Sequence, residues 1–87
     1  MELSEDVLAD VTKRLRRAQG QVGGLIQMIE SGRDCEDVII QLAAVSRALD
    51  RAGFRLIASG LEHCVSDGSE QAAVDRARLE KLFLTLA

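Results

Sequence analysis

Eighty-seven residues suffice for one domain and one core, and a domain of this size buries only roughly 60–65% of its unfolded surface, so self-association is expected. With no proline, two aromatic residues and 47% apolar content, the composition favours helices and argues against a β-sandwich. The net charge of −3 excludes a uniformly basic protein, yet segment 12–33 carries Lys13, Arg14, Arg16, Arg17 and Arg33 against only Glu30, which keeps nucleic acid open as a partner.

The start, Met1-Glu2-Leu3-Ser4-Glu5-Asp6, lacks the basic and apolar stretches of a secretory leader. No apolar run reaches membrane-spanning length, so a cytoplasmic protein without a membrane partner is expected. Next, Val7, Val11, Leu15, Ala18, Val22, Leu25 and Ile29 recur by threes and fours, which is one face of a long helix. Ser4 is placed to cap it, with Glu5 and Asp6 in its first turn. Ser31-Gly32 breaks the pattern, and Asp34 is placed to cap a second helix running from about Cys35 to Cys64. Ser66-Asp67-Gly68-Ser69 forms a second joint, after which Leu79, Leu82, Phe83 and Leu86 give a short third helix one apolar face. Without linker, repeat or low-complexity stretch, residues 1–87 read as a single all-α domain.

The second helix carries two apolar stripes. Val38, Leu42, Val45, Leu49, Ala52 and Leu56 suit packing on the first helix. The other stripe, Cys35, Ile39, Leu42, Ser46, Leu49, Gly53, Ile57, Gly60 and Cys64, contains small residues at intervals that admit another backbone, and it reads as a dimer seam. At about 1.5 Å of rise per residue the two cysteines lie roughly 43 Å apart on one helix, whereas a disulfide needs Cα atoms within about 7 Å. An antiparallel copy removes the conflict. A two-fold axis between Leu49 and Asp50 sets Cys35 against Cys64 of the partner subunit, Ile39 against Gly60, Leu42 against Ile57 and Ser46 against Gly53. Cys35 falls in the first helical turn, where the dipole favours negative charge on sulfur. In a reducing compartment such a pair is read as reactive or metal-binding rather than as a permanent bridge.

The ordered set Arg14-Leu15-Arg16-Arg17-Ala18-Gln19-Gly20-Gln21-Val22, Met28-Ile29-Glu30, Arg33, Cys35, Gln41-Leu42-Ala43-Ala44-Val45 and Cys64-Val65 resembles the CsoR/RcnR family of metal-sensitive and thiol-responsive repressors. The resemblance covers nearly the whole chain. It implies a three-helix protomer, an antiparallel four-helix-bundle dimer, a dimer-of-dimers tetramer, and binding of double-stranded operator DNA without a helix-turn-helix. An inducer at the inter-subunit cysteine site then weakens DNA binding. Copper-sensing members use a cysteine at the start of the second helix with a histidine and a cysteine, four residues apart, from the partner chain. Here those positions are Cys35, Gly60 and Cys64. Glycine offers no ligand, and His63 is about 100° round the helix from Cys64 rather than one turn below it. Two thiols without the imidazole look like the branch that senses reactive sulfur species (CstR-like). No cofactor is then required. The alternative is Cu(I) held by Cys35 and Cys64 with His63.

Lys13, Arg16 and Arg17 lie opposite the apolar face of the first helix, with Arg14 on its flank, while Arg47, Arg51 and Arg55 are expected to form a row on the outer face of the second. Such rows are often only solvated faces, but their arginine content and their multiplication by oligomerisation favour DNA. By resemblance, Arg14 and Arg51 match DNA-binding positions, and Glu80 matches a position that couples the sensor to the DNA surface. Asp34 replaces a tyrosine common in copper sensors, and Gly23 an arginine common in the family. An enzyme is not expected: neighbouring Cys64 and His63 point in different directions, and no residue is recognisable to orient a base or bind an oxyanion.

Overall fold

The computed structural model describes residues 2–87, so Met1 of the expected 1–87 domain lies outside the described residues. The described residues form three helices: α1 (Glu5–Glu30), α2 (Cys35–Asp67) and α3 (Glu70–Leu86). Their ends follow from local chemistry. Ser4 Oγ accepts from Val7 N–H at 3.3 Å and Asp34 Oδ2 from Glu36 N–H at 3.1 Å, as the sequence predicts. α1 stops where Gly32 adopts φ 75°, with Arg33 N–H donating to Met28 C=O and Gly32 N–H to Ile29 C=O. This is the paired closure that a left-handed glycine allows.

Two boundaries differ from the sequence expectation. α2 continues past Cys64 to Asp67 and ends on Gly68 at φ 70°. α3 is a helix of 17 residues rather than a short one, because Ser69, read as part of the joint, caps it through Ala72 N–H at 3.0 Å. No described helix is long and apolar enough to cross a membrane.

α2 is the central element, and α1 and α3 each pack on it alone. Val7 and Val11 of α1 close on Ala52, flanked by Leu3 and Leu56, and Ala18 and Val45 are buried further along. On another side of α2, Ile57 and Cys64 pack with Ala72 and Leu79 of α3, and the rings of Phe54 and Phe83 stand 5.4 Å apart. The three helices therefore form one layer, 55 × 25 × 12 Å. A single layer cannot enclose a core, since each apolar stripe needs a second layer against it.

The overall dimensions agree. The radius of gyration is 16.7 Å, against about 12 Å for a compact domain of this length. Accessible surface is 6478 Å², against roughly 5,000 Å² for a compact monomer of this mass. Large apolar side chains share in this exposure. Leu15, Val22, Ile26 and Ile29 of α1, and Ile39, Leu42 and Leu49 of α2, are all at least 39% exposed. Thus Leu15, Val22 and Ile29, expected to share one buried face with Val7 and Val11, stay open because α1 covers α2 with only a narrow stripe.

The predicted dimer seam is divided. Its N-terminal half, Cys35, Ile39, Leu42, Ser46 and Leu49, is open. Its C-terminal half, Gly53, Ile57, Gly60 and Cys64, is partly covered by α3 of the same chain, a packing that the periodicity of α2 did not assign. Gly53 is small for an internal reason as well: a Cβ there would lie 2.7 Å from Leu86 Cδ1. What remains uncovered is an apolar groove of about 480 Å³ between Leu3 and Leu56 on one side and Leu79, Leu82 and Leu86 on the other, floored by Gly53, Ile57 and Gly60.

Candidate functional site

The thiols differ in setting. Cys35 is exposed in the first turn of α2, whereas Cys64 is 6% exposed and packs with Ile57, Ala72 and Leu79 near the other end. The helix between them is continuous, so a cross-link within one chain is geometrically closed. No group of three or more His, Cys, Asp or Glu side chains among the described residues could hold a metal within one protomer. His63 is exposed within α2, and its carbonyl accepts from Ser66 Oγ at 3.0 Å. Glu80 is exposed on α3, 3.9 Å from Arg76 Nε, while its neighbour Leu79 faces α2.

The cationic residues fall into distinct groups. Arg14 and Arg17 of α1 meet Arg51 of α2 round a small cleft completed by Gln21 and Ala48. Lys13 and Arg16 lie further round α1, with Arg17 reaching both regions, and Arg16, expected opposite the apolar face, borders Leu15, Val22 and, on α2, Leu49. Arg47 is exposed one turn before Arg51 but does not line the cleft. Gln21 is a member of the cleft that the charge pattern could not single out. At about 100° of rotation per residue, Arg51 and Gly53 point roughly 160° apart round α2. The basic cleft and the apolar groove therefore occupy opposite faces of the layer.

A carboxylate completes the basic side. Asp10 Oδ2 accepts from Arg14 Nε at 3.0 Å and lies 3.5 Å from Arg55 Nε, so one oxygen ties α1 to α2. The hydrogen bond from Arg14, with the charges of Arg14 and Arg55 behind it, holds the Asp10 carboxyl below its ordinary value, against the opposing effect of burial. A carboxyl depressed in the folded state contributes stability above its unfolded pKa and loses it as pH falls through the folded one. This contact is therefore intact at neutral pH and released only in acid. Asp10 and Arg14 are one turn apart, a spacing that could have revealed their pairing, whereas Arg55 arrives only through tertiary packing.

Comparison with known proteins agrees with this architecture. The family model described as a metal-sensitive transcriptional repressor matches residues 8–86. The copper-sensing transcriptional repressor CsoR of Bacillus subtilis (strain 168) is 35% identical over 72 residues, covering 83% of this chain and 71% of that protein. The copper-sensing repressor RicR of Mycobacterium tuberculosis is 46% identical over 54 residues, 62% of this chain and 56% of its own length. Among solved structures, the nickel-responsive transcriptional regulator InrS superposes with a TM-score of 0.80 at 26% identity, covering 95% of this chain and 97% of that one.

Proposed function

Because the chain belongs to the family of metal-sensitive transcriptional repressors, we propose that it represses transcription in the cytoplasm as an antiparallel homodimer, paired further into a tetramer, and that reactive sulfur species release it from operator DNA through Cys35 and Cys64. Residues 1–87 act as one repressor domain that works by binding, not catalysis. The observation that carries the sulfur reading is the donor set. Two cysteines stand at opposite ends of α2, and Gly60, one turn before Cys64, has no side chain to offer a metal.

The open half of the seam on one protomer faces the apolar groove of its partner in the antiparallel register, so Ile39 and Leu42 enter the space floored by Gly53, Ile57 and Gly60. Pairing through this face leaves the cleft of Arg14, Arg17 and Arg51 open on the other. The same register brings Cys35 to Cys64 of the partner subunit. The Cys35 thiolate attacks a sulfane sulfur of hydropolysulfide; the shortened polysulfide leaves with the bonding pair and Cys35 becomes a persulfide. Cys64 of the partner subunit, its proton lost to solvent, attacks the sulfur bonded to Cys35 Cβ, and hydrosulfide leaves as the disulfide closes. Two thiols are oxidised by two electrons, and one sulfane sulfur is reduced to hydrosulfide. Since α3 covers Cys64, the cross-link forms only when the first turn of α3 yields, and that displacement biases the assembly away from its DNA-binding form. A hundredfold loss of affinity requires about 2.7 kcal/mol of coupling. Glu80, on α3, is the residue proposed to pass the displacement on.

A second reading is favoured by the relatives named as copper-sensing: Cu(I) held by Cys35, Cys64 and His63. Parallel titrations of the protein on a duplex it has selected from a random pool separate the two. Polysulfide is expected to release the duplex, and Cu(I) to be lost to a strong competing chelator without release. Tight Cu(I) binding that releases the duplex, with polysulfide inert, reverses the assignment.

The DNA surface has its own test. Arg14→Ala and Arg51→Ala, along with neighbouring Lys13, Arg16, Arg17 and Arg47, address phosphate contacts. Each of the first two is expected to weaken binding about tenfold at physiological salt and to flatten the salt dependence by about one ion. Parental affinity in both variants, measured by fluorescence anisotropy, would place the DNA elsewhere.

A further inference from the structure

Asp10 is an acidic residue beside a surface read as binding a polyanion, so its presence needs a reason. A single oxygen holds two guanidiniums from two helices, Arg14 at 3.0 Å and Arg55 at 3.5 Å. Both contacts run through Nε, which leaves the Nη forks for an outside acceptor. Those forks are the groups that engage phosphate in pairs.

Two effects oppose each other. The carboxylate lowers the local positive potential, which disfavours phosphate. It also fixes two long, rotamer-rich side chains before DNA arrives and relieves the repulsion between them. Position decides the balance. Asp10 stands outside the cleft formed by Arg14, Arg17, Gln21, Ala48 and Arg51, and its side chain is 39% exposed. Its charge is therefore screened by solvent and salt, while its hold on the arginines acts at contact.

We propose that Asp10 is a positioning residue of the DNA-binding surface, presetting Arg14 for the phosphate cleft and ordering Arg55, itself a phosphate contact, beside it. The inference rests on the reading of that cleft as the DNA surface. Asp10, its carboxyl held below the ordinary value by Arg14 and Arg55, is an anion throughout the neutral range.

The test compares Asp10→Ala, Asp10→Asn and Arg14→Ala on the selected duplex across a salt series, with thermal unfolding recorded for each. Asp10→Ala is expected to lose about tenfold in affinity while keeping the parental salt slope, because the cations remain and only their order is lost. Asp10→Asn, which retains an oxygen acceptor, is expected within about threefold of the parent. Arg14→Ala loses both affinity and slope. Asp10→Ser, too short to reach either guanidinium, replaces Asp10→Ala if that variant does not fold. Tighter binding by both the truncated and the Asn variants would make Asp10 a competitor of phosphate and overturn the proposal. So would parental affinity in the truncated variant, or losses that merely follow the unfolding midpoint in both. An unchanged Arg14→Ala removes the underlying reading of the cleft, and the role of Asp10 with it.

Discussion

A Cys35→Ala variant is expected to remain on operator DNA when treated with polysulfide and to give no covalent dimer on a non-reducing gel. The effect is a complete loss because the two thiols are not interchangeable. Cys35 is exposed, whereas Cys64 is 6% exposed beneath α3, so only Cys35 offers sulfur to a solvent-borne electrophile at the start of the reaction. Removing the first attack removes everything after it. Cys64→Ala is expected to behave differently: Cys35 still becomes a persulfide, seen as a mass increase on the single chain, but no inter-subunit bond follows. Operator affinity without inducer is measured alongside as the reference. Release of Cys35→Ala by polysulfide would show that Cys64 acts alone and that Cys35 is not the attacking thiol.

The second large effect concerns assembly. Ile39→Asp combined with Leu42→Asp places two carboxylates on the open half of α2. In an isolated protomer both positions are more than half exposed, so the change would be harmless or even solubilising. In the proposed antiparallel dimer both would enter the groove floored by Gly53, Ile57 and Gly60, where no cation lines the wall. A buried, unpaired charge costs about 3–5 kcal/mol, enough to weaken dimerisation by more than about a hundredfold. Sedimentation is expected to show dissociation, with a fall in thermal stability because a layer one helix thick cannot support itself. A double variant that sediments like the parent would show that this face is not the interface.

Much of this architecture is legible in the sequence because its signals are local. Ser4 and Asp34 cap the helices where the apolar period begins, and Gly32 and Gly68 take the left-handed conformations that end them. The placement of α3 is different. The stripe through Gly53, Ile57, Gly60 and Cys64 suits a helix from the same chain as well as one from a partner, and periodicity alone does not choose between them. α3 lies along one margin of that stripe, and the groove is left beside it.

The surface proposed for DNA shows the same division. The cationic faces of α1 and α2 can be read from spacing, but the convergence of Arg14, Arg17 and Arg51 depends on the register between the helices. Gln21 and the contact from Arg55 to Asp10 belong to that register and have no signature of their own. Conversely, the meaning of Gly60 is clearest in the sequence, where its place one turn before Cys64 marks the side chain that a copper site would use.

An inter-subunit thiol switch leaves its record in the protein that polysulfide releases from DNA, and that record is read as mass and peptide connectivity under non-reducing, denaturing conditions. A covalent dimer is expected, in which the peptide containing Cys35 is joined to the peptide containing Cys64 of the other chain, through a disulfide or a bridge lengthened by further sulfur, in proportion to the DNA released. Release with both thiols unmodified, or with Cys35 joined only to Cys35, would rule the switch out.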